Sequence, residues 1–295
     1  MKILRKNLSL LLIFSLLFSI AYLNVSAKTT YNDFVVDFDS SSKFIRICEY
    51  NGSEENVVIP DSISGYNVHY IDSEAFIDNS TLESVKLPYY LTSVGTYAFY
   101  NCSSLSTVEI PSFVTYIGEK AFANCSGLTS AVIKGKITYL NSSVFENCSS
   151  LTEVTLPNTL KNISVDAFKN CSNLKIITIP DSVKSISSSA FSGCNENLCV
   201  IASKDSYAAG FCAENNIECV SSIKYGDVNN DGKINVKDAT FLQKSIIKFE
   251  GFEISDGTRA FYAADVNGDN KLDITDCTFI MKYAVRAIGK FPVEQ

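Results

Sequence analysis

Residues 105–125 read LSTVEIPSFVTYIGEKAFANC and contain one unit of a pattern that returns along the chain. Val108 and Ile110 alternate with polar neighbours, which predicts a short strand with one buried face. Pro111 lacks a backbone N–H and ends that strand. Phe122 adds a large apolar group at the end of the unit. Because one unit cannot bury its apolar face alone, the pattern predicts coils that stack around a shared core.

The unit returns every 23 residues without a slip, as one phenylalanine in each copy makes clear. These residues are Phe76, Phe99, Phe122, Phe145, Phe168 and Phe191. A fixed period of this length, carried by apolar residues, is typical of a solenoid. Five of the ten cysteines keep the same period, which predicts buried thiols that act as small apolar groups rather than as crosslinks. These cysteines are Cys102, Cys125, Cys148, Cys171 and Cys194.

Three further cysteines, Cys199, Cys212 and Cys219, lie outside this period. Cysteines in an exported chain often pair as disulfides. The sequence leaves open whether these three include a disulfide, and which two would pair.

The recurring string IP…V…IG…AF…NCSSL, over about residues 57–198, closely resembles the BspA-like leucine-rich repeat of bacterial surface proteins. The resemblance implies an α/β repeat solenoid of short parallel strands, with a parallel sheet along its concave face. Two departures are visible: Lys134 replaces the proline of one copy, and residues 65–69 lengthen the first copy as a local insertion. Residues 34–50 and 206–220 are predicted to cap the two ends, which a solenoid requires.

Two ladders of side chains lie between the buried positions of the predicted strands and are expected to face the concave side. The first is Lys86, Glu109, Val132, Thr155 and Thr178, and the second is Ser84, Thr107, Ser130, Glu153 and Ile176. Both ladders are mixed, small and mostly uncharged, so they identify no ligand. Solenoid faces commonly bind other molecules. We therefore expect a protein- or glycan-binding surface, with a spacer that has no ligand of its own as the alternative.

Two other signals in the repeats have structural interpretations. Asn101, Asn124, Asn147 and Asn170 each begin an N-x-S sequence, but they occupy one fixed repeat position. There we expect the asparagine to hydrogen-bond backbone at a turn. His69 is the single histidine, and nothing in the sequence places a nucleophile beside it, so no catalytic triad is indicated.

The N-terminus has the features of a cleaved secretory signal. Lys2, Arg5 and Lys6 form a basic start, residues 8–20 form a short apolar run, and residues 25–27 match a cleavage site. No second apolar run long enough to span a membrane follows, so we expect no membrane span after cleavage. The formal net charge of −7 gives the chain no electrostatic reason to bind nucleic acid.

Two acidic stretches near the C-terminus, residues 227–238 and 265–276, are offset by 38 residues. In each, oxygen-bearing side chains fall at positions 1, 3, 5, 9 and 12, and position 7 supplies a backbone carbonyl, which is the EF-hand pattern for calcium. The predicted ligands are Asp227, Asn229, Asp231, Lys233, Asn235, Asp238, Asp265, Asn267, Asp269, Lys271, Asp273 and Asp276. We therefore expect two calcium ions, one in each loop.

A helical pattern follows each loop, and no comparable helix precedes the first loop. This duplicated arrangement, over about residues 225–291, resembles the type I dockerin of cellulosomes, a small all-α EF-hand-like module. The resemblance implies a cohesin module on a scaffolding protein as the partner. It also assigns partner contacts to Val236, Lys237, Gln243, Lys244 and Lys248 in the first copy and to Ile274, Thr275, Met281, Lys282 and Arg286 in the second. The two sets differ, which leaves single and dual docking modes open.

The sequence thus divides into a signal peptide (1–27), a leucine-rich-repeat solenoid with caps (28–220) and a dockerin module (221–295). We expect a non-catalytic, secreted subunit rather than an enzyme. It would dock through calcium-dependent cohesin binding onto a polysaccharide-degrading complex of the cellulosome type, outside the cell, either on the cell surface or on a free complex. A protease inhibitor that acts through the repeats and an enzyme of polysaccharide degradation are the alternatives.

Overall fold

The computed structural model describes residues 28–39, 41–255 and 258–294. The predicted signal peptide lies outside these residues. Within them, no helix combines the length and the apolar character that crossing a bilayer requires. Buried apolar side chains form two separate clusters, one within residues 34–212 and the other within residues 228–291.

Three strands form the N-terminal cap: β1 (Thr29–Tyr31), β2 (Phe34–Asp39) and β3 (Phe44–Tyr50). They pair antiparallel in chain order. Ile45 and Ile47 of β3 are buried in the core, whereas Arg46 between them reaches Asp72 of the first coil at 2.9 Å. The cap therefore covers the apolar end of the stack of coils with strands of its own.

The repeats consist of short strands separated by turns. In chain order they are β4 (Asn56–Val58), β5 (Ser62–Ile63), β6 (Tyr66–Ile71), β7 (Ser84–Lys86), β8 (Ser93–Val94), β9 (Thr107–Ile110), β10 (Tyr116–Ile117), β11 (Ser130–Ile133), β12 (Tyr139–Leu140), β13 (Glu153–Thr155), β14 (Asn162–Ile163), β15 (Ile176–Thr178), β16 (Ser185–Ile186) and β17 (Cys199–Ile201). One strand of each coil joins a parallel sheet in the order β4, β7, β9, β11 and β13, and β15 pairs with β17 in the same way. The register advances by one repeat per strand, so Ala131 lies between Val108 and Val154.

The second strand of each coil forms another series of parallel pairs. β6, β8 and β10 extend the sheet of the cap, and β12, β14 and β16 form a three-stranded sheet. The insertion predicted at residues 65–69 belongs to a hairpin, in which β5 pairs antiparallel with β6 through Ser64 and Gly65, both at positive φ. Gly118 follows β10 where the preceding coil passes so close that a Cβ atom would overlap the backbone of Thr96. This close approach explains the glycine of the repeat.

A stack of phenylalanine rings runs through the core of the repeats. From Phe76 to Phe191, successive ring centroids lie 4.8–5.8 Å apart, with interplanar angles of 3–16°. Burying one such side chain contributes about 1.5–3 kcal/mol, and a stacked pair adds about 0.5–1.5 kcal/mol. The phenylalanine stack therefore holds neighbouring coils together, as the 23-residue period predicts.

The periodic cysteines line the same core. Each thiol donates to the carbonyl oxygen of the phenylalanine in the preceding coil: Cys125 Sγ lies 3.1 Å from Phe99 O, and Cys148 Sγ lies 3.1 Å from Phe122 O. Burial raises the pKa of the Cys102 thiol to about 12. The thiols are therefore held in the unreactive, protonated form and act as the small apolar groups that their spacing predicts.

Asparagine side chains form a third ladder at the turn after each phenylalanine. Asn147 Nδ2 donates to Asn124 Oδ1 at 2.7 Å, and Asn170 Nδ2 donates to Asn147 Oδ1 at 2.8 Å. Asn101 Nδ2 donates to Asp78 Oδ1 of the first coil at 2.9 Å. All four asparagines have positive φ, a conformation that Asn tolerates. Their role is structural, as predicted, but the partner is a side chain of the preceding coil rather than backbone.

One helix and one strand close the last coil. α1 (Tyr207–Asn215) begins after the N-cap Ser206, and β18 (Glu218–Val220) pairs in parallel with β17. Three helices and a 3₁₀ turn follow: α2 (Val236–Ile246), α3 (Arg259–Ala264), α4 (Ile274–Ala284) and Pro292–Glu294. α2 and α4 are the helices predicted after the two acidic loops. α3, which enters the second loop, is not anticipated by the sequence pattern.

Phe122→Ala should lower the stability of the repeats by about 3–5 kcal/mol, because it removes a buried ring and leaves a cavity between its neighbours. Phe113→Ala is the matched control in the same coil, since its side chain is 48% exposed and surface substitutions change stability by about 0.5 kcal/mol or less. Thermal unfolding followed by circular dichroism measures the difference. Equal melting temperatures for the two variants would show that the stack does not hold the coils together.

Candidate calcium loops and interaction surfaces

The first acidic loop folds around the carboxylate of Asp227, which is 2% exposed. Its two oxygens accept backbone N–H bonds from Asp231 and Gly232, both at 3.0 Å. The side chain of Asn229 accepts a second bond from the N–H of Asp231 at 2.9 Å. Gly232 has a φ of 81°, which a residue without a Cβ atom adopts freely. The chain is thereby drawn tightly around position 1 of the predicted site.

Asp238 closes the first loop from the start of α2. Its carboxylate accepts N–H bonds from Asn229 at 3.3 Å and from Asn235 at 2.9 Å. Asn235 is the N-cap of α2, and its side chain accepts a bond from the N–H of Lys237 at 2.9 Å. The capping box at the start of α2 is formed by Asn235 and Asp238, which are also loop positions 9 and 12. The start of the helix therefore fixes both positions of the loop.

The second loop repeats this arrangement. Asp265 accepts N–H bonds from residues 268–270 at 2.8–3.2 Å. Asp276, in the first turn of α4, accepts N–H bonds from Val266 and Asp273, both at 3.1 Å. The N–H groups at loop positions 5, 6 and 9 donate to the same carboxylates in both loops, so the 38-residue duplication extends to these hydrogen bonds.

The predicted carbonyl donors at position 7 are Lys233 and Lys271. Their N–H groups donate to Asp231 and Asp269 at 2.9 Å in both loops, and their side chains are exposed. Asn267, at position 3 of the second loop, accepts a bond from the N–H of Asp269 at 3.0 Å. Each lysine is therefore placed to contribute through its backbone, as the EF-hand pattern requires.

Four buried carboxylates in the loops are held by backbone N–H groups rather than by ion pairs. Asp227, Asp238, Asp265 and Asp276 are each at most 5% exposed, and none forms an ion pair in the part of the chain that the structure describes. Burial raises the pKa of Asp238 and of Asp265. Burial, together with the charge of Asp265, raises the pKa of Asp276 to about 6. Buried charges of one sign without a partner are destabilising, so the loops favour a cation.

The donor set of each loop fits calcium. Carboxylate, amide and carbonyl oxygens are hard ligands, which Ca²⁺ takes in groups of about six to eight. Over residues 28–39, 41–255 and 258–294, no group of three or more His, Cys, Asp or Glu side chains is arranged as a metal cluster by itself. The predicted donors of each loop also include at least one Asn side-chain oxygen and one backbone carbonyl. A bound cation supplies the positive charge that the buried carboxylates lack.

Two residues outside the predicted ligand set support the first loop. Arg259, at the start of α3, donates to the carbonyl oxygen of Asp227 at 3.2 Å and also to the side chain of Asn230. Lys224 donates to the carbonyl oxygen of Gly232. Arg259 lies 32 residues after Asp227 in the chain. No local spacing indicates that contact, so the sequence pattern misses it.

The predicted partner contacts lie on α2 and α4, which pack against each other, and on the residues just after them. All are exposed except Lys244, which is half-buried with its ammonium 4.1 Å from the ring centre of Phe252. A shallow groove brings Gln243 of the first set together with Ile274, Met281 and Lys282 of the second. The predicted contacts outside this groove are Val236, Lys237, Lys244, Lys248, Thr275 and Arg286.

The predicted contacts leave out a matched pair of exposed apolar residues just after the two helices. Ile247 directly follows α2 and is 71% exposed, and Val285 directly follows α4 and is 65% exposed. They occupy equivalent positions of the two copies, 38 residues apart. The 38-residue offset is the sequence signal that could have identified both residues. Exposed apolar residues at matched positions of a duplication indicate a shared interaction surface.

The strand ladders lie outside the core of the repeats, as expected. Lys86, Glu109, Thr155 and Thr178 of the first ladder are exposed. Glu109 forms an ion pair with Lys134 at 2.8 Å, where Lys134 replaces the proline of the repeat. The chemistry of this face stays mixed and identifies no ligand.

A row of rings lies on β6 and on the turns that follow β7 and β9, with His69 half-buried and the other rings exposed. We call His69, Tyr89, Tyr90 and Phe113 the aromatic strip. The ring of Tyr90 stacks on that of His69 at 6.5 Å and on that of Phe113 at 6.3 Å, and Tyr89 packs edge-on against Tyr90 at 5.0 Å. Tyr89, Tyr90 and Phe113 are 41–56% exposed. The spacing of Tyr90 and Phe113 is one repeat, but the insertion breaks the spacing to His69, so the sequence pattern misses the row.

Comparison with known proteins identifies both parts of the chain. Residues 69–199 match the family model of the BspA type leucine rich repeat region, in six copies. Residues 225–284 match that of the dockerin type I domain. Among proteins of curated function, none matches this chain.

Several solved structures are similar to the repeats. A leucine-rich repeat protein of T. pallidum is 27% identical over 60% of this chain and 72% of its own, with a TM-score of 0.44. A leucine-rich cell surface protein of Faecalibacterium prausnitzii A2-165 is 29% identical over 60% of this chain and 54% of its own, with a TM-score of 0.49. A leucine-rich repeat protein of Eubacterium ventriosum ATCC 27560 is 26% identical over 55% of this chain and 50% of its own, with a TM-score of 0.44.

Calcium should raise the melting temperature of the C-terminal core and leave that of the repeats unchanged, because the ion binds only the folded loops. At a free calcium concentration 100 times the dissociation constant, the stabilisation is about 2.7 kcal/mol. Differential scanning calorimetry of the full chain, with calcium and with a chelator, measures both transitions. Magnesium is the control, since it demands a smaller octahedral shell. An unchanged C-terminal transition would contradict the assignment of the loops.

Proposed function

Because the chain combines a BspA-type leucine-rich repeat region with a dockerin type I domain, we propose that it is a non-catalytic, secreted subunit of a cellulosome-type complex. The dockerin attaches it to a cohesin module of a scaffolding protein, and the repeats supply a surface that binds protein or glycan. The complex is one that degrades polysaccharide. The subunit is extracellular, either at the cell surface or on a free complex.

One observation carries the docking proposal: two loops, 38 residues apart, hold four buried carboxylates with backbone N–H groups, and none of the four forms an ion pair among the described residues. Dockerins of type I are calcium-binding, EF-hand-like modules. We propose that each loop binds one calcium ion through the predicted ligands, so that two ions order the module. Ordering by the ion then presents α2 and α4 to the cohesin.

The docking face is proposed to include the predicted contacts and the two apolar residues beyond them. Ile274, Met281 and Val285 give the second copy three exposed apolar side chains, whereas the first copy has Val236, Gln243 and Ile247 at those positions. Apolar residues at the centre of an interface contribute most of the binding energy. At these three matched positions the second copy is therefore the more apolar.

The residues of the chain support a binding role rather than catalysis. The repeat and dockerin families are non-catalytic. His69, the single histidine, packs between the rings of Phe44 and Tyr90. It therefore has no nucleophile to activate as a general base.

The division of the chain is proposed as signal peptide (1–27), repeats with caps (28–220) and dockerin module (221–295). The two separate apolar clusters support the second boundary, because one ends before residue 221 and the other begins after it. The basic, apolar and small segments of the N-terminus support export.

The aromatic strip supports a ligand-binding role for the repeats. Three of its four rings are exposed, and the rings are adjacent and aligned across neighbouring coils. Such rings present flat apolar faces, and the hydroxyl groups of tyrosine add hydrogen bonds. This chemistry suits the apolar face of a sugar ring, which makes polysaccharide the first ligand to test.

Asp227→Ala combined with Asp265→Ala should abolish docking, because each aspartate is position 1 of its loop and organises the surrounding N–H groups. We expect an affinity loss of more than about 100-fold in isothermal titration against a panel of cohesin modules with calcium present. Glu250→Ala combined with Glu253→Ala is the control, since it removes two acidic side chains of the same module outside the loops. The melting transition of the repeats should be the same in both variants. Docking by the first variant at full affinity would refute the calcium sites.

Replacing Tyr89, Tyr90 and Phe113 together by Ala should weaken binding to insoluble polysaccharide by about 10-fold or more, since each stacked ring contributes about 0.5–1.5 kcal/mol. Co-sedimentation of the full chain with plant cell-wall polysaccharides measures the binding. Tyr207→Ala is the matched control, because Tyr207 is similarly exposed but lies on the C-terminal cap. If the unaltered chain sediments with no polysaccharide, or if the triple variant binds equally well, the glycan role of the strip is wrong.

A further inference from the structure

Three cysteines meet where the solenoid ends, and the structure distinguishes them. Cys199 lies on β17, Cys212 on α1 and Cys219 on β18, and all three are free thiols. In the register of the two strands, Cys219 lies opposite Val200, and Cys199 lies opposite Glu218. Because successive side chains of a strand point to opposite faces, Cys219 and Cys199 face different sides of the sheet.

The core side of this sheet is the side that α1 covers. Val200 and Cys219 pack with the apolar core of the repeats, and Cys212 belongs to the same core. Cys199 is buried but is not part of that core. The register therefore places Cys199 on the other face of the sheet, so Cys199 cannot form a disulfide on the core side. Of these three thiols, Cys212 and Cys219 are the two that lie on the core side.

A tight turn brings these two cysteines together. Cys212 lies on the buried side of α1, in its last turn. Asn216 ends the helix at a φ of 54°, and the N–H of Ile217 donates to the carbonyl oxygen of Cys212 at 3.0 Å. The chain then reverses into β18, against which α1 packs. As a result, Cys219 packs against the apolar core to which Cys212 belongs, on the strand that α1 contacts.

We propose that Cys212 and Cys219 form a disulfide in the exported protein, which fastens the cap helix α1 to the edge strand β18. The proposal rests on the export that the proposed function includes, because disulfides persist in oxidising compartments. It is independent of the dockerin and of its partner.

The two thiols have different roles in forming the bond. Cys219 is half-buried and lines a surface groove with Ala209 and Ala213, so an oxidant of the disulfide class reaches it first. The Cys219 thiolate attacks that disulfide, which releases one thiol and leaves a mixed disulfide. The buried Cys212 then attacks the sulfur of Cys219 and releases the second thiol. Two protein thiols lose two protons and two electrons, and the incoming disulfide is reduced to two thiols.

The remaining cysteines do not compete for this bond. The ladder thiols each donate to a phenylalanine carbonyl of the preceding coil. Cys48 lies on β3 at the other end of the solenoid, and Cys277 lies in the C-terminal core. The oxidised chain therefore contains one disulfide, and its other eight cysteines stay as thiols.

The position of the bond gives it a physical role. β18 is the last strand of its sheet and pairs only with β17 among the described strands. Stacked repeats lose order first at their ends, where a unit has one neighbour instead of two. A crosslink between α1 and β18 therefore closes the weakest end of the stack, directly before the segment that leads to the dockerin module.

The test is peptide mapping of the full chain. The protein is incubated with oxidised glutathione, its free thiols are alkylated in denaturant, and the digest is analysed by mass spectrometry. We expect one crosslinked peptide pair that contains Cys212 and Cys219, with the other eight cysteines alkylated. Alkylation of both Cys212 and Cys219, or a crosslink through Cys199 instead, would overturn the proposal.

Thermal unfolding provides a second readout. The repeats of the oxidised chain should melt about 5 °C higher than those of the chain in dithiothreitol. Cys219→Ala, a change at a half-buried position, should remove this difference, and Cys199→Ala should keep it. A difference that survives in Cys219→Ala would show that the crosslink has another origin. Cohesin binding is not involved, so failure here leaves the docking proposal intact.

Discussion

Contact between neighbouring coils is the constraint on which the solenoid depends. One coil of 23 residues has an apolar side and nothing within itself to cover it. The phenylalanine rings, the cysteine thiols and the asparagine side chains each form a ladder along the solenoid axis. Each ladder connects one coil to the next. Every ladder joins a residue to its equivalent, or to a near neighbour of its equivalent, in the coil before. Stability is therefore shared among interfaces between coils, and the two ends need caps of different construction.

The C-terminal module depends on a different constraint, which is the electrostatic cost of burying carboxylates. Its loops bury four carboxylates beside one another and satisfy them with backbone N–H groups instead of with lysine or arginine. Hydrogen bonds lower the energy of each carboxylate, but they do not cancel the net charge. That charge is the driving force for taking up a cation. In the function that we propose, an ion bound there couples its own binding to the order of α2 and α4, so that a soluble ion controls whether a docking face exists.

The two halves therefore have separate tasks in the function that we propose. The repeats provide a rigid, extended surface whose exposed features lie on turns and strand faces. The dockerin provides an attachment that depends on an ion and on a few apolar side chains. The single histidine, His69, lies in a row of rings between Phe44 and Tyr90. A molecule of this kind adds binding to a complex in which other subunits carry out chemistry.

The sequence by itself determined the features that follow from fixed spacing. The 23-residue period identified the phenylalanine and cysteine ladders, and the 38-residue offset identified both acidic loops and the helices after them. Local spacing suffices there because each residue meets its equivalent one unit away. Only the tertiary structure decided the rest. The contact of His69 with Tyr90, the contact of Arg259 with Asp227, the helix α3 and the register that places Cys219 opposite Val200 all depend on residues whose separation no repeat fixes. Strand register and chain reversal set those contacts, and neither can be predicted from residue spacing in the sequence.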